Sequence, residues 1–346
     1  MRALAGESAR VSAGSSRGYL YDLDFPLHAQ VEAAIRRSRI EGWDLALVYP
    51  GNFSRLRSVR RAGILIWEGD RFPEHWARSA CEHLDVAFVP SEFTLEAAVA
   101  SGIPPAMLRV APFGVDGDVY RPDGPAMRLS SRRTFTFLAV AAPHIRKGLA
   151  ELIDAFGSAF APGDDVDLVI KCPPSVRSAR RSWEYAGVES FIGRERCGQI
   201  RVLTGSLDES SMASLYRAAD VYVQPSFGES FGLAPLEALA CGRPIIATGW
   251  GGALTFLDRS NSWLVDYDLI DACSFAYDWS GDEKVQMARP RRESLAGALA
   301  DSYRDGTARR KKGAAAIKTA RRFTWKRCAQ TILEALSDEP SGRCVS

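Results

Sequence analysis

The sequence predicts an α/β protein of two domains, the second a doubly wound parallel sheet with helices on both faces. Three observations carry this. From Arg133 onward, continuous apolar runs alternate with amphipathic ones, which is how buried parallel strands and their crossover helices read. The 346 residues exceed what one hydrophobic core usually supports. Residues 113 to 133, rich in Gly, Pro, Asp and Arg and without periodicity, separate the halves as a linker.

In the first half, WDLALVYP from Trp43, RAGILIWE from Arg61 and LDVAFVPS from Leu84 have strand character, and helical patterns start at Leu27, Glu74 and Glu92. In the second, FTFLAVAA from Phe135, VDLVIKC from Val166, IRVLT from Ile200, DVYVQPS from Asp220 and RPIIAT from Arg243 read as strands. Between them, GLAELIDAFGSAF from Gly148, DESSMASLYRAA from Asp208 and LAPLEALA from Leu233 read as helices. The stretch from Glu293 gives successive helices, the last capped by Thr324. The expected division is residues 1–125, residues 126–322, and a closing helix and tail over 323–346 that can cross back to the first domain.

Composition narrows the function classes. With 46% hydrophobic and 25% charged residues the chain is ordinary globular material. Its 44 basic against 42 acidic residues leave a net charge of +2, so no whole-molecule field draws it to nucleic acid or anionic lipid. The basic runs from Arg55 and Ala308 read as solvated faces, with a peripheral membrane contact as their alternative use. Cys81, Cys172, Cys197, Cys241, Cys273, Cys328 and Cys344 form no C-x-x-C pair, and free thiols in a reducing compartment are expected. The first twenty residues hold no apolar run of signal-peptide length, and no later run is long enough to span a membrane, so the expected location is the cytoplasm.

The chemistry concentrates in FGESFGLAPLEALACGRPIIAT, which starts at Phe227 and sets Glu229 and Glu237 eight positions apart around a glycine-bearing turn. Pro235 suits the first turn of a helix, where its missing N–H costs nothing. The amides of residues 231 to 234 would then leave a helix N-terminus unpaired, a place that attracts phosphate. A carboxylate beside phosphate is repelled unless it faces hydroxyls, and it accepts two hydrogen bonds from a vicinal diol well. Glu237 suits a ribose, and Glu229 a sugar beyond the phosphates. Alone, Glu229 would read as a solvated loop residue and Glu237 as a helix-dipole partner. Their combination with Gly232, Pro235 and Gly242 points to a nucleotide-sugar.

Lys171 ends a strand where ligands collect in open α/β sheets, and is either a diphosphate or base contact or a surface lysine. Gly205 and Ser206 are candidates for lining a nucleobase pocket. The D-x-D runs at Asp22, Asp116 and Asp266 follow no nucleotide-binding strand, so no metal site is expected. His28, His75, His83 and His144 have no partner at a spacing that suggests a nucleophilic triad.

These residues resemble the E-x7-E signature of retaining GT-B glycosyltransferases of family 4. The resemblance extends through VPSEFTLEAAVASGIPPAMLRVAPFGVDGDVYRP, RKGLAELIDAF, GSLDESSMASLYRAADVYVQPS and FTWKRCAQTIL, covering roughly residues 64 to 336. It implies two Rossmann-like domains facing a cleft, an N-terminal acceptor domain and a C-terminal domain that binds the nucleotide-sugar; the first is expected to be abbreviated here, because MRALAGESARVSAGSSRGYLYDLDFP departs from the family in offering no clear first strand. It further implies that Glu237 binds the ribose, while Glu229 holds hexose hydroxyls and shields charge developing at the anomeric carbon. The amides of Phe231, Gly232 and Leu233 would meet sugar and diphosphate oxygens. Lys147 matches the family's diphosphate lysine; the arginine's place is taken by Ala141 or Ala142, leaving Arg146 or His144 to substitute. Trp67 and Glu68, at the end of a strand in the first domain, and His144 are candidate donor-sugar or acceptor contacts.

The implied reaction moves a hexose, with retention and without metal or cofactor, from a UDP- or GDP-sugar donor. The acceptor would be a glycan, a lipid-linked saccharide or a natural product, as in surface-polysaccharide assembly. The alternative is a catalytically impaired nucleotide-sugar-binding protein with a truncated acceptor domain. An epimerase is disfavoured by the E-x7-E block, and a phosphorylase by the missing cofactor-lysine motif.

Overall fold

A computed structural model describes residues 43–47, 53–54, 56, 58–130, 134–142, 144–172, 199–273 and 284–338. The helical pattern from Leu27, Asp22 and His28 lie outside the described residues. The chain forms two compact units, one of Met1–Gly114, Ala276–Val285 and Phe323–Ser346, the other of Val115–Phe275 and Gln286–Arg322.

The first unit holds a parallel sheet in the order β1 (Trp43–Ala46), β2 (Arg60–Ile64), β3 (Val86–Val89), β4 (Leu108–Val110). Helix α1 (Glu74–His83) joins β2 to β3, and α2 (Glu92–Ala100) joins β3 to β4. Ser91 caps α2 by accepting the Thr94 amide at 3.1 Å, which fixes where the helix starts.

The last helix of the chain, labelled α8 below (Trp325–Asp338), belongs to this unit. It lays Cys328, Ala329, Ile332 and Leu336 against Trp43, Leu45, Ala62, Val86 and Phe88, the spacing of one helical face. Thr324 Oγ1 accepts the Arg327 amide at 3.2 Å, so the expected cap forms. Gly114 lets the chain pass this helix start, because a Cβ there would stand 2.0 Å from the Trp325 nitrogen.

The second unit holds six parallel strands in the order β10-β9-β8-β5-β6-β7. In chain order they are β5 (Phe135–Val140), β6 (Val166–Lys171), β7 (Ile200–Leu203), β8 (Val221–Gln224), β9 (Ile245–Thr248) and β10 (Ser262–Val265). Helix α3 (Leu149–Ala159) follows β5, α4 (Glu209–Ala218) follows β7, and α5 (Leu233–Ala240) follows β8. This is the doubly wound order in which the winding reverses between the first and fourth strands. The core packs Phe137, Leu168, Ile170, Val221 and Ile246 against Leu152 and Phe156 of α3.

Two features depart from the sequence reading. An antiparallel ribbon, β11 (Tyr267–Asp271) with β12 (Gln286–Pro290), follows β10. β11 is half exposed along its length, so it lacks the apolar run that marks the sheet strands. Residues 115–125, expected in the first domain, belong to the second unit. There Tyr120 packs on Tyr216 at 6.0 Å, and the Arg217 guanidinium donates to the carbonyls of Pro125 and Arg121 at 2.8 and 3.2 Å.

Helices α6 (Arg292–Arg304) and α7 (Gly306–Ala320) follow the ribbon. α7 carries the basic run, and part of it is structural rather than solvated. Arg309 donates to the carbonyls of Ser302 and Tyr303 at the end of α6, and Lys312 donates to the Ser262 carbonyl at 2.9 Å. Among the described residues no helix is long and apolar enough to cross a membrane.

Candidate active site

β5 and β8 lie side by side at the reversal of winding, with Leu138 opposite Tyr222. A crevice opens at such a point, past the carboxyl ends of the strands, and two loops meet there. One leaves β5 through the tight turn Ile145–Lys147; the other leaves β8 through residues 225–232 and enters α5.

The loops are tied by backbone. The Phe227 amide donates to the Arg146 carbonyl at 2.7 Å, and the Arg146 guanidinium donates to the Gly228 carbonyl at 2.7 Å. Gly148 makes the approach possible. Its φ is +63°, and a Cβ would stand 2.0 Å from the Pro225 oxygen.

Glu229 sits at the meeting point with its side chain 13% exposed, too little for water to solvate the charge. Its Oε1 accepts from Lys147 Nζ at 2.5 Å, Gln224 Nε2 at 2.8 Å and Ser226 Oγ at 2.8 Å; Arg146 lies 3.5 Å from Oε2. Burial alone would push this carboxyl up. The Lys147 ammonium, the Arg146 guanidinium and the Lys147 and Ser226 hydrogen bonds outweigh it and bring it down to about 2. The support continues inward, since the buried Tyr222 hydroxyl donates to Gln224 Oε1 at 2.9 Å. The Glu229 carbonyl accepts the Gly252 amide at 2.7 Å, and the left-handed Gly251 leaves room for that contact.

Glu237 lies one helix further on. Its Oε2 accepts from the Tyr216 hydroxyl at 2.7 Å. Burial pushes this carboxyl up to about 7, with the Tyr216 hydrogen bond opposing it and Glu209 adding to the effect. Between the two carboxyls, α5 starts at Gly232, whose φ is +94°, and no side chain caps it. Leu233 is exposed at this start, whereas the Phe231 ring is buried on Phe256 at 5.2 Å, leaving only its backbone for the expected contact.

The remaining candidates fall in three places. The Lys171 ammonium donates to the carbonyls of Cys172 and Gly205 at 2.7 and 2.6 Å, so it braces the loop that carries Gly205 and the exposed Ser206. His144 accepts the Arg146 amide on Nδ1 at 3.1 Å, and burial with the neighbouring Arg146 and Lys147 charges lowers it to about 4. It is therefore neutral at pH 7 and caps the turn, which corrects its candidacy as a replacement cation. Trp67 and Glu68 belong to the first unit. Trp67 is 1% exposed against Phe72 and Trp76, so its ring is core and has no face to offer a sugar, a second correction. Glu68 follows it on an irregular, half-buried stretch.

Sequence reasoning missed Gln224, Ser226, Tyr216 and Tyr120. Gln224 had a signal, a polar residue ending a buried apolar strand; the tyrosines, one in a linker and one in an amphipathic helix, had none. The D-x-D aspartates are engaged locally, Asp116 by the Asp118 amide at 3.0 Å and Asp268 by Arg291 at 2.6 Å. Among the described residues no three His, Cys, Asp or Glu are grouped to hold a metal ion.

The family model described as GT4-conflict, family 4 glycosyltransferase in conflict systems, matches residues 92–332. The chain belongs to this family. Among the relatives of this GT4-conflict member is the D-inositol 3-phosphate glycosyltransferase of Paenarthrobacter aurescens, 32% identical over 68% of this chain and 53% of that one. The same-named protein of Pseudarthrobacter chlorophenolicus is 27% identical over 85% of this chain and 66% of its own length. The chain spans about half the length of the first of these curated relatives. In structure it is similar to HepE of Anabaena in complex with UDP and glucose, with a TM-score of 0.67 at 18% identity, covering 94% of this chain and 84% of that one. Sucrose-phosphate synthase of Thermosynechococcus elongatus gives 0.66 at 20% identity, covering 86% and 73%. The fold is that of the GT-B glycosyltransferases.

Proposed function

We propose that the chain transfers a hexose from a nucleoside-diphosphate sugar to a hydroxyl acceptor, with retention at the anomeric carbon and without a divalent cation. The observation that carries this is the Glu229 carboxylate, fixed between Lys147 and Arg146 beside the uncapped start of α5. A carboxylate held down to about 2 is a poor base and a durable anion. It suits the positive charge that develops at the anomeric carbon as the bond to the diphosphate breaks.

In this reading Lys147 and the amides at the start of α5 face the departing diphosphate. They form a fixed field that does not reorganise during reaction. The acceptor oxygen bonds the anomeric carbon on the face the diphosphate leaves, and its proton passes to a diphosphate oxygen. No protein base is needed, which agrees with the protonation state of Glu229. Glu237 takes the ribose. The structures of HepE with UDP and with UDP-glucose support uridine as the first base to try, with guanosine next. The names of the inositol-phosphate relatives support a hydroxyl-rich acceptor, beside the glycan, lipid-linked and natural-product classes.

Thermal unfolding with UDP, GDP, ADP and dTDP and their common sugars, in EDTA, tests the donor half. A ligand at about 100 times its Kd adds roughly 2.7 kcal/mol of stability. One base should stabilise the wild type, and Glu237→Ala should lose the response. If no nucleotide does so, or only with Mg²⁺, the reading fails. The anomeric coupling constant of the glycoside formed from the best donor and a polyol panel then decides retention.

A further inference from the structure

The end of β8 supports an inference that deepens the donor-site reading above and rests on it. Side chains alternate faces along Val221–Gln224, so Val221 and Val223 join the core with α3 while Tyr222 and Gln224 share the opposite face. Both are buried, at 0% and 6% exposure. A phenol and an amide so placed must find their partners inside the protein.

They find them in a chain whose donors all run one way. The Tyr222 hydroxyl donates to Gln224 Oε1 at 2.9 Å, Gln224 Nε2 donates to Ser226 Oγ at 2.6 Å and to Glu229 Oε1 at 2.8 Å, and Ser226 Oγ donates to the same Oε1 at 2.8 Å. The phenol's other acceptor, the Val140 carbonyl, lies further off at 3.4 Å. Both N–H bonds of the amide and the single O–H of the serine are thereby used. The amide cannot be reversed. Turned over, its carbonyl oxygen would stand 2.8 Å from a carboxylate oxygen with no proton between them.

This creates an asymmetry within Glu229. Oε1 accepts from Lys147, Gln224 and Ser226, whereas among the described residues no group donates a hydrogen bond to Oε2. Arg146 Nη1 stands 3.5 Å from Oε2 and donates to the Gly228 carbonyl at 2.7 Å. One oxygen is anchored and the other is open.

We propose that Gln224, its amide oriented by Tyr222, is a positioning residue that sets the rotation of the Glu229 carboxylate, so that Oε2 alone is presented to the hexose of the donor. An ammonium on a flexible stem holds the charge of Glu229 without fixing its rotation; an amide at the end of a buried strand fixes it. Gln224 acts through Glu229 and makes no contact with the diphosphate.

The test separates the hexose from the diphosphate. UDP and UDP-glucose, GDP and GDP-mannose, and ADP and ADP-glucose are titrated calorimetrically into the full chain, and donor consumption is followed with the polyol panel as acceptors. Gln224→Met matches the side chain in length and removes its hydrogen-bonding groups. It should leave the Kd of the diphosphate within about twofold of wild type, weaken the nucleotide-sugar about tenfold and lower kcat about 10- to 100-fold. Tyr222→Phe should change the ratio of the two Kd values by about threefold, and should add nothing to Gln224→Met in the double variant, because the phenol acts only through the amide.

If Gln224→Met weakens diphosphate and nucleotide-sugar together, the residue is structural; if it keeps both the wild-type ratio and the wild-type kcat, Glu229 needs no positioning. Either result overturns the proposal while the donor site stands, and so do additive losses in the double variant. If no nucleotide-sugar binds the wild type, the donor-site reading fails and this proposal with it. Should Gln224→Met not fold, Tyr222→Phe decides, and an unchanged ratio and kcat there overturn the proposal.

Discussion

Glu229 and Glu237 stand eight residues apart on one turn and helix, and their carboxyls are pushed in opposite directions, to about 2 and to about 7. Both are largely removed from water, so burial pushes both upward. What differs is the facing groups: an ammonium and a guanidinium at Glu229, phenols and a second carboxyl at Glu237. The comparison teaches that a repeated residue type can divide labour when neighbours separate the protonation states, one group a permanent anion and the other able to change charge near neutrality.

The largest expected effect tests the first half of that comparison. Glu229→Ala leaves Lys147 and Arg146 without their buried counter-charge, which should cost about 3 to 5 kcal/mol of stability at pH 7 by chemical denaturation and abolish transfer. The sign with pH is fixed. A carboxyl lowered to about 2 contributes stability that is present above its unfolded value of 4.5 and lost as pH falls toward 2. The gap between wild type and mutant should therefore narrow below pH 4.5, and a gap that stays constant down to pH 2 would separate Glu229 from its cations.

Next comes the backbone that brings the cations to Glu229. Gly148→Ala puts a Cβ against the Pro225 carbonyl and strains a left-handed residue, so it should cost about 2 to 3 kcal/mol and weaken donor binding by displacing Lys147. Unfolding at the wild-type midpoint would show that the two loops are not packed this closely. The smallest effect concerns Glu237. Its carboxyl, raised to about 7 from 4.5, contributes stability present below pH 4.5 and lost as pH rises through 7. Unliganded Glu237→Gln should thus be more stable than wild type by about 1 to 2 kcal/mol at pH 8, discounted for partial exposure, and no more stable at pH 4. Equal stabilities at pH 8 would mean that the two glutamates do not differ as described.

Much of the second unit was legible because local rules agree with the fold there. The strands at Phe135, Val166 and Val221 are buried on both faces and so read as apolar runs, and the Pro235 helix starts where proline allows. The β11–β12 ribbon was not legible, since β11 is largely exposed and β12 breaks its buried residues with the exposed Arg289, so neither carries such a run. At the site, Glu229, Glu237 and Lys147 were visible through spacing and resemblance. Tyr120 was hidden inside a glycine-rich linker, and Trp67 looked like a candidate contact until Phe72 and Trp76 enclosed it.

By itself the sequence determined the alternation that builds a doubly wound sheet, the glycine-bearing turn and proline-started helix, and the presence of two carboxyls around them. These follow from short-range periodicity and backbone preference. The tertiary structure alone decided that Lys147 would reach Glu229 across 82 residues, that Tyr216 would reach Glu237 across 21, and hence which carboxyl keeps its charge. A pKa depends on the groups that face a carboxyl through space, and which groups those are is set by the order of strands in the sheet.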